Sequence, residues 1–175
     1  MEESVLASFS GRTILETTPA VIGNMIAGAT PEQLAWRPDG DRWSIEMVLA
    51  HLADVEINGF LSRFHALTGE DDPLLPIYDQ HALFGAVHDF DARRDLVAFQ
   101  RAREQTLEVL RALPTSAMDR RGRHEELRSR ISFGELLHEL AFHDLGHIRQ
   151  IAELYRSAAF YPNMGAFRSY YRINP

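Results

Sequence analysis

The residues of this chain whose type and spacing could do chemistry are three histidines: His143 and His147, four positions apart, and His51 far upstream. Four residues advance an α-helix by about 400°, so side chains at i and i+4 leave one face a turn apart. That face also carries Leu136, Leu140, Ile151 and Leu154, which directs both imidazoles toward a core rather than toward water. His51 stands between Val48 and Val55 in a second apolar periodic stretch. Neutral imidazole binds zinc, nickel, copper or iron. Three protein ligands would leave a coordination position open, as catalytic ions require. The same spacing suits histidines buried in a core and bonded to a neighbour, and spacing alone does not say whether His51 meets the pair.

Polar residues flank the three rings: Asp54, Glu56, Asp144 and Gln150. A ligating imidazole usually has its far nitrogen held by such a group. Gln150, three residues past His147, could line the site or bond substrate. Glu56 and Asp144 could orient a ligand, or belong to a solvated helix face. Two other metal patterns fail on spacing. A zinc-protease motif needs His-Glu-x-x-His, but His138-Glu139 is followed by His143, one residue late. A ferritin-like pair needs two Glu-x-x-His motifs, and only Glu135 with His138 fits. His138 reads as surface or interface; His65, His81, His88 and His124 fall at a helix end or in loops.

Composition narrows the chemistry. The chain has no cysteine, hence no thiolate ligand, thiol nucleophile or disulfide. All 18 basic residues are arginine, so a Schiff-base or Walker-type lysine is excluded. The net charge of −7 argues against a nucleic-acid partner. The one basic cluster, Arg120 to Arg130, is interrupted by Glu125 and Glu126 and reads as a solvated loop. No apolar run approaches the ~20 residues of a membrane span, and the N-terminal stretch does not read as a signal peptide. The expectation is a cytoplasmic protein with one domain over residues 1–175 and no membrane partner.

Four helices must position these residues. The first runs from about Arg12 to Ala29, with Thr18-Pro19 either kinking it or opening a new turn. The second starts at the N-cap Ser44 and runs to about Leu67, with Ile45, Val48, Leu49, Leu52, Val55 and Phe60 on its core face. The third follows the N-cap Asp91 and ends near Leu113, before Pro114. Leu96, Phe99, Arg103, Thr106, Leu107 and Leu110 lie along one side of it. The fourth starts at the capping box Ser132-Phe133-Gly134-Glu135 and runs to about Tyr155. Residues 70–90 form an acidic connection too long for a tight turn; it can cross the bundle and let helices two and three run parallel. A short hairpin could lie within residues 118–131. The expected fold is an all-α four-helix bundle with a long connection between helices 2 and 3.

The segment Trp43 to Glu56, around His51, resembles the second helix of the DinB-like superfamily, and His143 to Ile151 resembles its last helix. Trp36-Arg37-Pro38, Asp72-Pro73, Tyr78-Asp79, Pro162 to Gly165, Tyr170-Tyr171 and Pro175 add matches in the same order. The resemblance covers the chain from about residue 30. It implies an up-down-down-up bundle, often a homodimer, with a three-histidine metal site whose ligand positions fall on His51, His143 and His147. Active members include thiol-dependent transferases and an isomerase using low-molecular-weight thiols.

The resulting expectation is a metal-dependent enzyme acting on a small-molecule substrate. One divalent ion per chain is expected, zinc or nickel first and iron or manganese next. Thiol-dependent S-transfer with a low-molecular-weight thiol cosubstrate ranks ahead of hydrolysis by a metal-activated water. The alternative from another class is a non-catalytic metal- or ligand-binding stress-response protein. Trp43, the tail tyrosines and the long connection are the candidate walls of the cavity.

Overall fold

The computed structural model describes residues 2–86 and 89–173; His88 and Pro175 of the readings above lie outside them. Four helices make up the bundle. Helix α1 is Arg12–Ile26. Helix α2 spans residues 45–69 as one continuous rod of three segments, Ile45–Val55, the π-helical Glu56–Leu61, and Ser62–Gly69. Helix α3 is Ala92–Ala112 and α4 is Phe133–Tyr155. Their starts are set by local chemistry. The Ser44 hydroxyl accepts from the Met47 N–H, the Asp91 carboxylate from the Arg93 and Arg94 N–H groups, and Ser132 with Glu135 forms a complete capping box.

The apolar residues sort into two clusters, and the sorting fixes the topology. One cluster joins Ile22 and Ile26, late in α1, to Ile45, Val48 and Leu49, early in α2. It also takes in Phe99, in the first half of α3, and Ile151 and Leu154, late in α4. The other joins Leu15, early in α1, to Phe64 and Leu67, late in α2. Leu107 and Leu110 of α3 and Phe133, Leu136 and Leu140 of α4 complete it. Helices α1 and α4 therefore run one way and α2 and α3 the other, which is the up-down-down-up order. Burying each such side chain contributes roughly 1.5–3 kcal/mol, so these two apolar layers carry the stability. Between them lies a polar layer to which every helix contributes: Thr18 from α1, His51 and Glu56 from α2, Arg103 from α3, and His143, Asp144 and His147 from α4.

Two features of the chain shape this middle layer. Pro19 sits inside α1 without ending it; having no N–H, it leaves the carbonyl of Leu15, four residues back, without its helical donor. The π-helical turn in α2 adds a residue to the helical register, so Val55, Glu56 and Phe60 all turn inward.

The 70–90 connection is held along a hairpin. Strand β1 (Arg121–His124) pairs antiparallel with β2 (Ser129–Ser132), so the hairpin expected within 118–131 forms and the arginine-rich stretch is not a plain loop. Leu75 donates its N–H to the Arg123 carbonyl at 2.9 Å, and Arg123 donates to the Pro73 carbonyl at 2.7 Å. Arg123 and Arg130 lie against Asp72. The connection then forms a short helix, Gln80–Ala86, and Pro31–Ala35 forms another under a Thr30–Gln33 capping box. No helix among the described residues is long and apolar enough to cross a membrane.

Candidate metal centre

His51 leaves α2 and His143 and His147 leave α4 into the polar layer, where the fold brings all three rings together. Nε2 of His143 lies 3.2 Å from Nε2 of His51 and 3.1 Å from Nε2 of His147. One ring nitrogen from each residue lies within 4.8 Å of the others. Two nitrogens bonded to one ion at 2.0–2.1 Å with a tetrahedral angle stand about 3.3 Å apart.

Proton accounting tests whether three neutral rings could satisfy one another. Gln150 Oε1, 2.9 Å from Nδ1 of His147, can only accept, so Nδ1 carries the proton and Nε2 presents a lone pair to the cluster. Nε2 of His143 has two nitrogen neighbours and at most one proton. Burial opposes protonating any ring: it pushes His51 and His143 down to about 3, helped by the neighbouring imidazoles, and lowers His147 as well. Three rings kept neutral, with convergent Nε2 atoms, fit a cation better than they fit each other.

The outer contacts are uneven. The Tyr78 hydroxyl lies 3.3 Å from Nδ1 of His51 and is bonded to Asp54, and burial with that carboxylate holds its pKa above the ordinary phenol value. Asp54 in turn accepts from Asn58 Nδ2 at 2.8 Å. Nδ1 of His143 is buried with no hydrogen-bond partner among the described protein atoms, and the His143 ring sits edge-on to the Phe60 ring with centroids 5.3 Å apart. Trp43 lies parallel to His147 at 6.4 Å between ring centroids and packs on Phe84 of the short 80–86 helix at 4.6 Å. Trp43 therefore packs beside the histidines, and the long connection supplies Phe84 and Tyr78 around them, but none of the three lines the cleft itself.

Of the flanking residues, Gln150 reaches a histidine, whereas Glu56 and Asp144 turn to Arg103. Arg103 donates Nε–H and Nη2–H to the two Glu56 oxygens, each at 2.8 Å. Its Nη1–H and Nη2–H reach the Asp144 oxygens at 2.6 and 2.8 Å, and Nη1–H reaches the Leu15 carbonyl at 3.0 Å. All five guanidinium protons are used. Burial opposes the charge on Arg103, but the two carboxylates outweigh it and hold its pKa above the ordinary value. Burial raises Asp144 despite the arginine. The guanidinium of this buried cluster helps burial and the other two rings to keep His143 neutral. Sequence reasoning assigned Tyr78 and Arg103 no role; an arginine on an apolar helix stripe was a signal for the second, and nothing local signalled the first.

His143 and His147 open on a cleft of about 790 Å³ whose floor also includes Gly146 and Gln150, whereas His51 is buried and does not line it. A Cβ at Gly146 would meet nothing within 4 Å, so the approach over these histidines is open. The aromatic tail supplies no ring to this cleft; Tyr171 lines a separate small cavity with Phe160 and Tyr161.

Comparison with known proteins gives the same picture. The profile of the DinB superfamily matches residues 14–151. A protein of Oceanobacillus iheyensis is 26% identical over 142 residues, covering 80% of this chain and 81% of its own length. YfiT of Bacillus subtilis is 27% identical over 146 residues, covering 82% and 81%. Both bear the name "putative metal-dependent hydrolase". The solved structure of YfiT, described as an unusual four-helix bundle topology, superposes with a TM-score of 0.73 over 83% of each chain at 26% identity.

Proposed function

The chain belongs to the DinB superfamily, and from that premise we propose that it is a metal-dependent hydrolase of small molecules, with His51, His143 and His147 as the protein ligands of one zinc or nickel ion. The observation that carries the reading is the convergence of the three Nε2 atoms, with His143 in reach of both others. A divalent ion held by these three histidines would supply Lewis-acid polarisation and would lower the pKa of a bound water.

The chain's own residues do the rest. Gln150 fixes the His147 tautomer and the Tyr78–Asp54–Asn58 chain orients His51, the usual role of such outer partners. Trp43, Phe84 and Phe60 exclude water from the bundle side, which strengthens electrostatics at the reacting atoms. Access is confined to the cleft side, over Gly146.

The relatives' names favour hydrolysis over S-transfer. Transfer to a low-molecular-weight thiol is a second reading, favoured by one observation: a cleft of about 790 Å³ has room for a small electrophile and a cosubstrate together. The test is elemental analysis of protein purified without immobilised nickel, followed by an ester, amide and epoxide turnover screen with and without thiol. One ion per chain, lost in His147→Ala, with thiol-independent turnover is the expected result. Unchanged metal content in His147→Ala would refute the ligand set, and strictly thiol-dependent turnover would move the assignment to the transferases.

A further inference from the structure

The wall of the cleft is unusual for this chain. A protein of net charge −7 lines it with Arg42, Arg149, Arg156 and Arg172, against Glu139 and Glu153. Arg156 pairs with Glu153 at 2.7 Å and donates from Nη2 to the Arg172 carbonyl, which ties the tail segment to the end of the α4 rod. Arg149 is exposed and, among the described residues, its guanidinium meets no carboxylate within ion-pair distance; the same holds for Arg172. A surface arginine without a carboxylate is ordinary, but two of them facing the open side of a cleft with histidines in its floor form a directed positive field.

The charges are also ordered along the helix. At 1.5 Å per residue, Arg149 stands about 6 Å, and Arg156 about 16 Å, past the midpoint between His143 and His147. In the opposite direction lie Phe142, 80% exposed, and Glu139. The cleft thus has a cationic end, a histidine-floored centre and an apolar end that carries an acidic residue.

We infer that this cleft selects substrates bearing an anionic group, a carboxylate or phosphate, held by Arg149, about one helical turn past the midpoint of His143 and His147, together with Arg172. The inference rests on reading the histidines as the reaction centre, and it names the substrate class of that centre. Guanidinium groups suit such anions because they donate two parallel charge-assisted hydrogen bonds.

The experiment separates this from the metal reading by measuring binding rather than turnover. Glutarate, inorganic phosphate and the uncharged glutaramide are titrated into the full chain, followed by NMR, for wild type, His147→Ala and the double variant Arg149→Glu/Arg172→Glu. Both arginines are exposed, so the double variant should keep the wild-type circular dichroism. An anion should bind wild type and His147→Ala, with glutaramide at least about tenfold weaker, the equivalent of one good charge-assisted contact. The double variant should lose about tenfold or more for the anion and nothing for glutaramide. Comparing glutarate with phosphate identifies the preferred headgroup. Equal binding of the anions and glutaramide, or anion affinity unchanged in the double variant, overturns the inference. Loss of metal in His147→Ala with anion binding retained leaves it standing, whereas metal retained in that variant refutes the ligand set alone.

Discussion

Pro19 and Arg103 are linked through one atom: the Leu15 carbonyl, which Pro19 cannot supply with a helical donor, accepts Nη1–H of Arg103 at 3.0 Å. The imino acid in α1 and the buried guanidinium of α3 satisfy what would otherwise be a stranded acceptor and a stranded donor. Each such group left unpaired costs roughly 1–3 kcal/mol.

The first prediction follows from that link. Arg103→Met leaves the Glu56 and Asp144 carboxylates buried without a cation and should cost about 3–5 kcal/mol in urea unfolding. Pro19→Ala in the wild-type background should change stability far less than the ~3 kcal/mol ordinarily attached to an interior helix proline, because Arg103 already serves Leu15. In the Arg103→Met background the same alanine should recover about 1–3 kcal/mol, since its N–H becomes the only donor for that carbonyl. Equal effects of Pro19→Ala in the two backgrounds would show the link to be energetically empty.

The second prediction concerns pH. In the folded, metal-free chain His51 and His143 are held near 3 by burial, and His147 is lowered too. As pH falls through about 6.5 the unfolded chain binds these protons and the folded chain does not. Stability is therefore fully present above pH 6.5 and is lost as pH falls toward 3, with a slope of up to ~1.4 kcal/mol per pH unit for each ring. Asp144, raised by burial, works the other way above 3.8, where the unfolded carboxyl ionises first. Urea midpoints with chelator at pH 7.5, 6.5 and 5.5 should drop on the acid side; a flat series contradicts the burial of the rings. In the folded chain protons should compete with a bound metal for these ligands only well below pH 6.5, since all three rings are held below that value.

How much of this was legible in the sequence depends on the range of the signal. Local, periodic signals read well: the Ser44, Asp91 and Ser132 caps fall where expected, and the i,i+4 spacing put His143 and His147 on one face. The meeting with His51 was suggested by resemblance rather than spacing, because it depends on how α2 and α4 pack. Pro19 was read as a break or kink in α1, since its consequence is repaired by a residue from another helix. Glu56 and Asp144 were read beside the histidines because they are neighbours in sequence. Their true partner is 47 and 41 residues away respectively. The short helix bearing Phe84 and the placement of Tyr78 have no periodic signature, being held by the strand contact at Leu74 and Leu75.

The third prediction concerns the outer partners of the ligands. Gln150→Ala and Tyr78→Phe should each weaken metal binding about 10–100-fold by chelator competition, with little change in the unfolding midpoint of the metal-free chain. Gln150→Glu should restore much of the affinity, because a carboxylate also accepts from Nδ1–H. If Gln150→Ala and Gln150→Glu behave alike, the amide oxygen is not what orients His147.

The fourth prediction tests Tyr78 without touching it. Gly59, in the π-helical turn of α2, lies beneath the tyrosine: a Cβ there would stand 3.6 Å from Tyr78 Cγ and 2.8 Å from Val55 Cγ2. Alanine needs only a shift of the Val55 side chain and should cost about 1–3 kcal/mol of stability, as overpacking does, with metal affinity nearly intact. Leucine reaches further and must displace the Tyr78 ring, removing its hydroxyl from His51. Gly59→Leu should therefore lower metal affinity as far as Tyr78→Phe does, and the two together should be no worse than either alone, since both abolish one contact. Additive losses in the double variant would mean that Gly59 acts on His51 through the backbone of α2, and that the tyrosine is not the group it protects.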